Sequence, residues 1–159
     1  MLVLRVALGG MLIAHGANKI FGGGGLTGTA GWFESLGLRP GRLHAALAAC
    51  TEIGAGALLL LGFLTPAASA AYIGLMLVAA LTDHRGKGYF VFKGGWEYTL
   101  LVGMVAVVPA IVGPGRWSLD HVLGLKLFGI GWAGGCLVAG VLAVAGLMSV
   151  FYRPQTTVS

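Results

Sequence analysis

The chain of 159 residues is 57% hydrophobic and only 9% charged, with a formal net charge of +5. Soluble domains carry about 25% charged residues, so this composition excludes a separate soluble catalytic domain and predicts a single helical domain embedded in a bilayer. The basic residues stand at the ends of apolar runs, where they contact lipid headgroups, so the positive charge does not predict a nucleic-acid partner.

Five apolar segments follow one another along the chain, and each is read as a membrane-spanning helix. They occupy residues 2–21, 43–63, 66–82, 95–112 and 127–151. We expect the first to be retained in the protein, because no small-residue cleavage site follows it. The amphipathic stretch 26–40 is predicted to lie at the membrane interface or to fold back on the bundle. The predicted fold class is therefore all-α, a multi-pass transmembrane helical bundle.

The loops between these segments give an orientation and one predicted helix start. Seven of the ten Lys and Arg residues fall on the side opposite the N-terminus. The positive-inside rule then predicts that this side is cytoplasmic and that the N-terminus is outside.

In the turn between the second and third segments, Thr65 is the predicted N-cap, with Pro66 at the first helical position.

Glu52 lies near the middle of the second apolar segment. A carboxylate at the centre of a bilayer costs about 3 kcal/mol on insertion scales, so it faces the bundle interior, finds a partner or is held neutral. Ala48 and Gly56 share its helix face, and their small size lets another helix or a ligand approach. We interpret Glu52 as part of a functional or assembly-critical polar network, the alternative being one interhelical hydrogen bond.

Further polar residues gather at the ends of the segments on the predicted cytoplasmic side. The candidates for a ligand site or polar network with Glu52 are His15, Lys19, His84, Trp96 and Glu97. His44 lies at the same level and is interpreted as interfacial. Each also fits a simpler role, as a snorkelling lysine, a loop histidine, a belt aromatic or an acid at a helix N-terminus.

Neither a metal site nor a thiol-exchange centre is predicted. The histidines are far apart, no metal-ligand spacing occurs, and Cys50 and Cys136 lie in different apolar segments.

The fifth segment carries no titratable residue of the kind seen in the other four. It has a small residue at every fourth position instead, which predicts a helix-packing face within the chain or with another chain. That ribbon consists of Gly131, Gly135, Ala139 and Ala143.

Several stretches, in a fixed order, resemble the DoxX family of small bacterial membrane proteins. They are the HG..K stretch from His15 to Lys19, the stretch from Glu52 through the LTP turn, GGWEY at 94–98 and GPGRWSLD at 113–120. The resemblance covers about residues 1–125 and implies a four-helix bundle in a bacterial inner membrane. Residues 126–151 would then add a fifth transmembrane helix, and 152–159 a short polar tail.

The resemblance also implies a link to redox chemistry, since the family name derives from an archaeal thiosulfate:quinone oxidoreductase. Some bacterial members are described as membrane anchors of an oxidative-stress complex with soluble partners. No haem, flavin or iron–sulfur signature is evident in the chain. The first hypothesis is therefore a redox-associated subunit that binds a quinone-like or other lipophilic ligand, with Glu52 holding or relaying a proton.

Two other functions stay open from the sequence. A non-catalytic accessory or scaffold subunit would use the fifth segment to dock on a membrane or soluble redox partner, or on a second copy. A proton-coupled transporter would use the intramembrane carboxylate, although no inverted repeat or broken helix is visible. Whether the protein is an enzyme is left undecided by these observations.

Overall fold

The computed structural model describes residues 1–154, and within that range it contains helices and no strand. The helices are α1 (Leu2–Phe21), α2 (Gly25–Ser35), α3 (Gly41–Leu61), α4 (Thr65–Leu81), α5 (Glu97–Val112), α6 (Leu119–Val122) and α7 (Ile130–Phe151). The all-α prediction is confirmed, and the five apolar segments correspond to α1, α3, α4, α5 and α7. The predicted polar tail extends past the described residues, which end at Pro154.

Two helices, α3 and α7, are long and apolar enough by length and composition to cross a bilayer. The helices α4 and α5 are apolar but shorter. The structure therefore supports part of the predicted multi-pass arrangement, and the remaining crossings stay a prediction.

Four helices, α1, α3, α4 and α5, share one hydrophobic core. Its buried members are Leu8, Leu12, Ala55, Leu59, Ala68, Tyr72, Val102 and Ala106. Glycines set the distance between α1 and α3. A Cβ placed on Gly9 would lie 2.6 Å from the carbonyl oxygen of Gly56, and a Cβ placed on Gly56 would lie 2.6 Å from the carbonyl oxygen of Gly9. Backbones that approach this closely gain van der Waals contact along the whole helix pair. The helix α2 folds back against α3, with Ala30 and Phe33 buried.

The C-terminal helix α7 packs on α4 and α5 through a face next to the predicted ribbon. Its buried residues are Ala133, Cys136, Gly140 and Val144. Gly131 and Gly135 point away from the bundle, and a Cβ on either would meet no atom within 4 Å. The end of α7 is fastened to the loop between α2 and α3, where Arg153 N–H donates to the Gly37 carbonyl at 2.7 Å. The ribbon therefore does not supply the contact between α7 and the bundle.

A buried arginine closes the end of the bundle where α3 stops. Arg5 is 1% exposed, and its guanidinium donates to the carbonyl oxygens of Leu59 and Leu60, which are among the last of α3. It also donates to the carbonyl oxygens of Pro114 and Trp117 in the loop after α5, both at 2.8 Å. These helix-end and loop carbonyls have few other partners in an apolar environment, so the arginine satisfies them.

Asp120 accepts hydrogen bonds from the free backbone N–H groups at the start of α4. Its fully buried carboxylate accepts the N–H groups of Leu64 and Thr65 and the hydroxyl of Thr65, the last at 2.6 Å. The prediction of Thr65 as N-cap is therefore wrong by one position: Leu64, with φ 46°, precedes the helix, and Thr65 is its first residue. An acidic side chain from α6, distant in sequence, caps this helix, and its charge also complements the helix dipole.

Replacing Asp120 by Asn should lower the free energy of unfolding by about 2 to 3 kcal/mol, because charge-assisted hydrogen bonds are lost and the amide NH₂ faces backbone donors. Thermal unfolding in one detergent measures the loss. Asp83→Asn is the matched control, since within residues 1–154 Asp83 pairs with exposed Lys87 alone, at 3.3 Å, and such pairs contribute at most about 1 kcal/mol. Equal destabilisation by the two variants would contradict this role of Asp120.

Candidate functional site

Lys19 and Glu52 form an ion pair between α1 and α3. The Lys19 Nζ lies 2.6 Å from Glu52 Oε1 and 2.7 Å from Oε2, so one ammonium group bridges both carboxylate oxygens. Their side chains are 14% and 9% exposed. Gly16 allows this approach, because a Cβ there would lie 2.7 Å from a side-chain carbon of Ile53 and 3.1 Å from the Glu52 Cβ. Pairing offsets part of the desolvation cost of both charges.

The ion pair lies at the wall of a half-open cleft of about 450 Å³. Residues of α3, α4 and α7 line it, and Trp32 and Phe33 of α2 also contribute to the lining. Small residues on all three helices leave this space, among them Ala48, Gly74 and Ala143. The lining is mainly apolar, so the cleft suits a lipophilic molecule more than a hydrated one.

His44 also lines this cleft, although the sequence indicated only an interfacial residue. It is 3% exposed, and its ring meets the ring of Phe151 edge to face at a centroid distance of 5.0 Å. Within residues 1–154, its Nε2 is buried and has no hydrogen-bond partner. The signal was the helical spacing of His44, Ala48 and Glu52 at intervals of four, which places all three on neighbouring parts of one helix surface.

The other predicted residues fall into two different places. His84 Nδ1 is 2.6 Å from the Gly94 carbonyl oxygen, and Glu97 accepts the Val91 N–H at 3.0 Å. Trp96 packs edge to face on Tyr89. His84, Trp96 and Glu97 therefore hold together the loop between α4 and α5. His15 is exposed on α1, so of the predicted set the structure brings Lys19 to Glu52.

The electrostatics of the cleft are nearly balanced. Lys19 and Glu52 cancel each other at close range, and Asp83 at the cleft edge pairs with Lys87. In the part of the chain that the structure describes, no group of three or more His, Cys, Asp or Glu side chains could hold a metal ion. The polar side chains that line the cleft are the ion pair, His44, Thr51, Thr82 and Asp83.

The apolar, all-helical fold with a buried ion pair beside an apolar cleft defines a small helical membrane protein. The DoxX family model matches residues 1–85. Inner membrane protein YqjF of Escherichia coli is 30% identical over 125 residues, which cover 79% of this chain and 92% of that protein. Uncharacterized membrane protein Rv3486 of Mycobacterium tuberculosis is 28% identical over 132 residues, which cover 76% of this chain and 78% of that protein. The chain belongs to the DoxX family.

No solved structure matches the chain. The family match spans α1 to α4 and therefore includes Lys19, His44 and Glu52. It ends before α5, so the division into a core over 1–125 and an added helix over 126–151 stays a prediction.

Replacing Lys19 by Met should lower the free energy of unfolding by about 3 kcal/mol or more, because it leaves the Glu52 carboxylate buried without a cation. The double variant Lys19→Met, Glu52→Met should regain most of that loss, since apolar pairs of similar volume are often as stable as buried ion pairs. Thermal unfolding of the purified protein measures both. A double variant as unstable as the single one would show that the pair does more than neutralise Glu52.

Proposed function

We propose that the protein is a multi-pass inner-membrane protein that binds a lipophilic small molecule in the cleft between α3 and α7. In this proposal α1, α3, α4 and α5 form a membrane-embedded core, and α7 is a fifth crossing that completes the cleft. The apolar composition, the two helices long enough to span and the membrane location named for both relatives support this placement.

The observation that carries the ligand proposal is the cleft itself. Its volume of about 450 Å³ lies within the range of small-molecule sites, and its apolar lining carries a few polar groups at defined positions. A quinone or similar molecule would place its ring or chain against Ala48, Gly74 and Ala143. Its polar groups would contact His44 or the Lys19–Glu52 pair.

The proposal extends to a redox-associated role, as an oxidoreductase subunit rather than a complete enzyme. Glu52 would hold or relay a proton for the bound molecule, because buried carboxylates within membrane-spanning segments commonly serve proton relays. His15, His84, Trp96 and Glu97 would support this site from outside the cleft, the last three by fixing the loop between α4 and α5.

A second candidate is an accessory subunit that docks through α7. The observation that favours it is the outward face of α7, where a Cβ on Gly131 or Gly135 would meet no atom of residues 1–154 within 4 Å. Such a face allows the backbone of a partner helix to approach closely. The partner would be another membrane protein, the membrane anchor of a soluble redox protein or a second copy.

Filling the cleft should remove the bound molecule. We expect Ala143→Phe to lower the amount of lipophilic molecule per protein at least about tenfold, because the ring occupies the space and a tenfold loss requires only about 1.4 kcal/mol of binding free energy. The protein is purified in its native lipids without detergent, and extracted molecules are quantified by mass spectrometry. Ala145→Phe is the matched control, since Ala145 is exposed on the same helix and does not line the cleft.

Equal content of every lipophilic molecule in the wild type and both variants would overturn the ligand proposal. The same preparations test the accessory role. A stoichiometric second protein should be present in the wild type and absent from Gly135→Leu. It should persist in Gly10→Leu, because Gly10 is equally open but lies on α1.

A further inference from the structure

The charges around the cleft restrict the kind of molecule that it accepts. Of the lining side chains in the described range, Lys19 is the one lysine or arginine, and Glu52 already binds it with both oxygens. Asp83 adds a carboxylate at the cleft edge. An anionic head group placed here would meet no uncompensated basic side chain and would be desolvated at a high cost.

His44 supplies the one buried hydrogen-bonding atom on the cleft wall that has no partner in residues 1–154. Its Nε2 is buried, the residue is 3% exposed, and the ring lies edge to face against Phe151. A buried polar atom without a partner is costly, so a bound molecule gains affinity when the ring turns to form a hydrogen bond with it.

The position of His44 also gives the bound molecule a direction. His44 and Glu52 are eight residues apart on α3, which is about 12 Å along the helix axis. Between them the wall includes the apolar Leu47 and Ala48, with Thr51 next to Glu52. A head group at His44 therefore leaves its chain running along α3 toward the neutral Lys19–Glu52 pair.

We infer that the cleft selects a lipid whose head group is uncharged and hydrogen-bonding, and that His44 binds that head. The inference rests on the proposed function, because it names the class of molecule that the same cleft would hold. A glyceride, a long-chain alcohol and other neutral lipids share this chemistry. Phospholipids with a net negative charge and fatty-acid anions do not.

Native mass spectrometry with three probes that share the oleoyl chain tests the inference. The probes are dioleoylglycerol, which is neutral, dioleoylphosphatidylglycerol and oleate, which are anionic. We expect wild-type protein to retain dioleoylglycerol at least about tenfold better than either anion. His44→Phe should lower dioleoylglycerol binding by up to about tenfold, the effect of one lost hydrogen bond. His44→Gln, which keeps a donor and an acceptor, should retain more binding than His44→Phe.

The comparison of the three probes on wild-type protein needs no variant, so it stands even where His44→Phe fails to fold. Equal or better binding of an anionic probe overturns the inference. So does a lack of dioleoylglycerol binding, or a His44→Phe variant that binds it like the wild type. In these cases the proposed function survives if the native preparation still contains a molecule that Ala143→Phe excludes, and it fails if no such molecule is present.

Discussion

The ion pair between Lys19 and Glu52 is the interaction on which the rest of the structure depends. An unpaired carboxylate in the middle of α3 would oppose burial of the whole helix. With Lys19 on both oxygens at 2.6 and 2.7 Å, α3 can pack against α1 on one side and border an apolar cleft on the other. The pair therefore sets both the register of two helices and the neutral wall of the cleft.

The helix α1 is tied to α3 by a cation at each end. Arg5 binds the last carbonyls of α3, and Lys19 binds Glu52, with the close contact of Gly9 and Gly56 between them. The two basic residues are fourteen positions apart, about 21 Å along a helix. Because both cations act on α3, the two helices form one unit against which α2 and α4 pack.

The cleft exists because α7 is fixed at two points that leave space beside α3. Gly140 lets α7 approach α4, where a Cβ would lie 3.1 Å from the Ala70 carbonyl oxygen. The end of α7 is fastened to the α2–α3 loop by backbone hydrogen bonds at Gly37 and Arg39. Ala139, next to Gly140, and Ala143, between the two points, line the cleft with small side chains. The ribbon that indicated helix packing thus contributes half of its residues to a cavity wall and leaves the other half facing outward.

The sequence predicted the helices, because apolar runs and the Gly and Pro residues that end them are local signals. It also indicated Glu52 as the anomalous charge and included Lys19 among its partners. It could not choose Lys19 over His15, since both lie near one helix face and the rotation of α1 is set by contacts at Gly9 and Gly16. The roles of Arg5 and Asp120 depend on chain segments more than fifty residues away, so no local pattern reveals them.

The cleft beside the ion pair should hold one specific lipophilic molecule. Photo-crosslinking in native membranes detects such a molecule in place, with a benzophenone amino acid at Ala139, which lines the cleft, or at Val138, which is exposed outside it. Position 139 should capture a distinct uncharged lipid, while position 138 should capture phospholipids in the proportions of the membrane. The same phospholipid mixture at both positions would contradict this prediction.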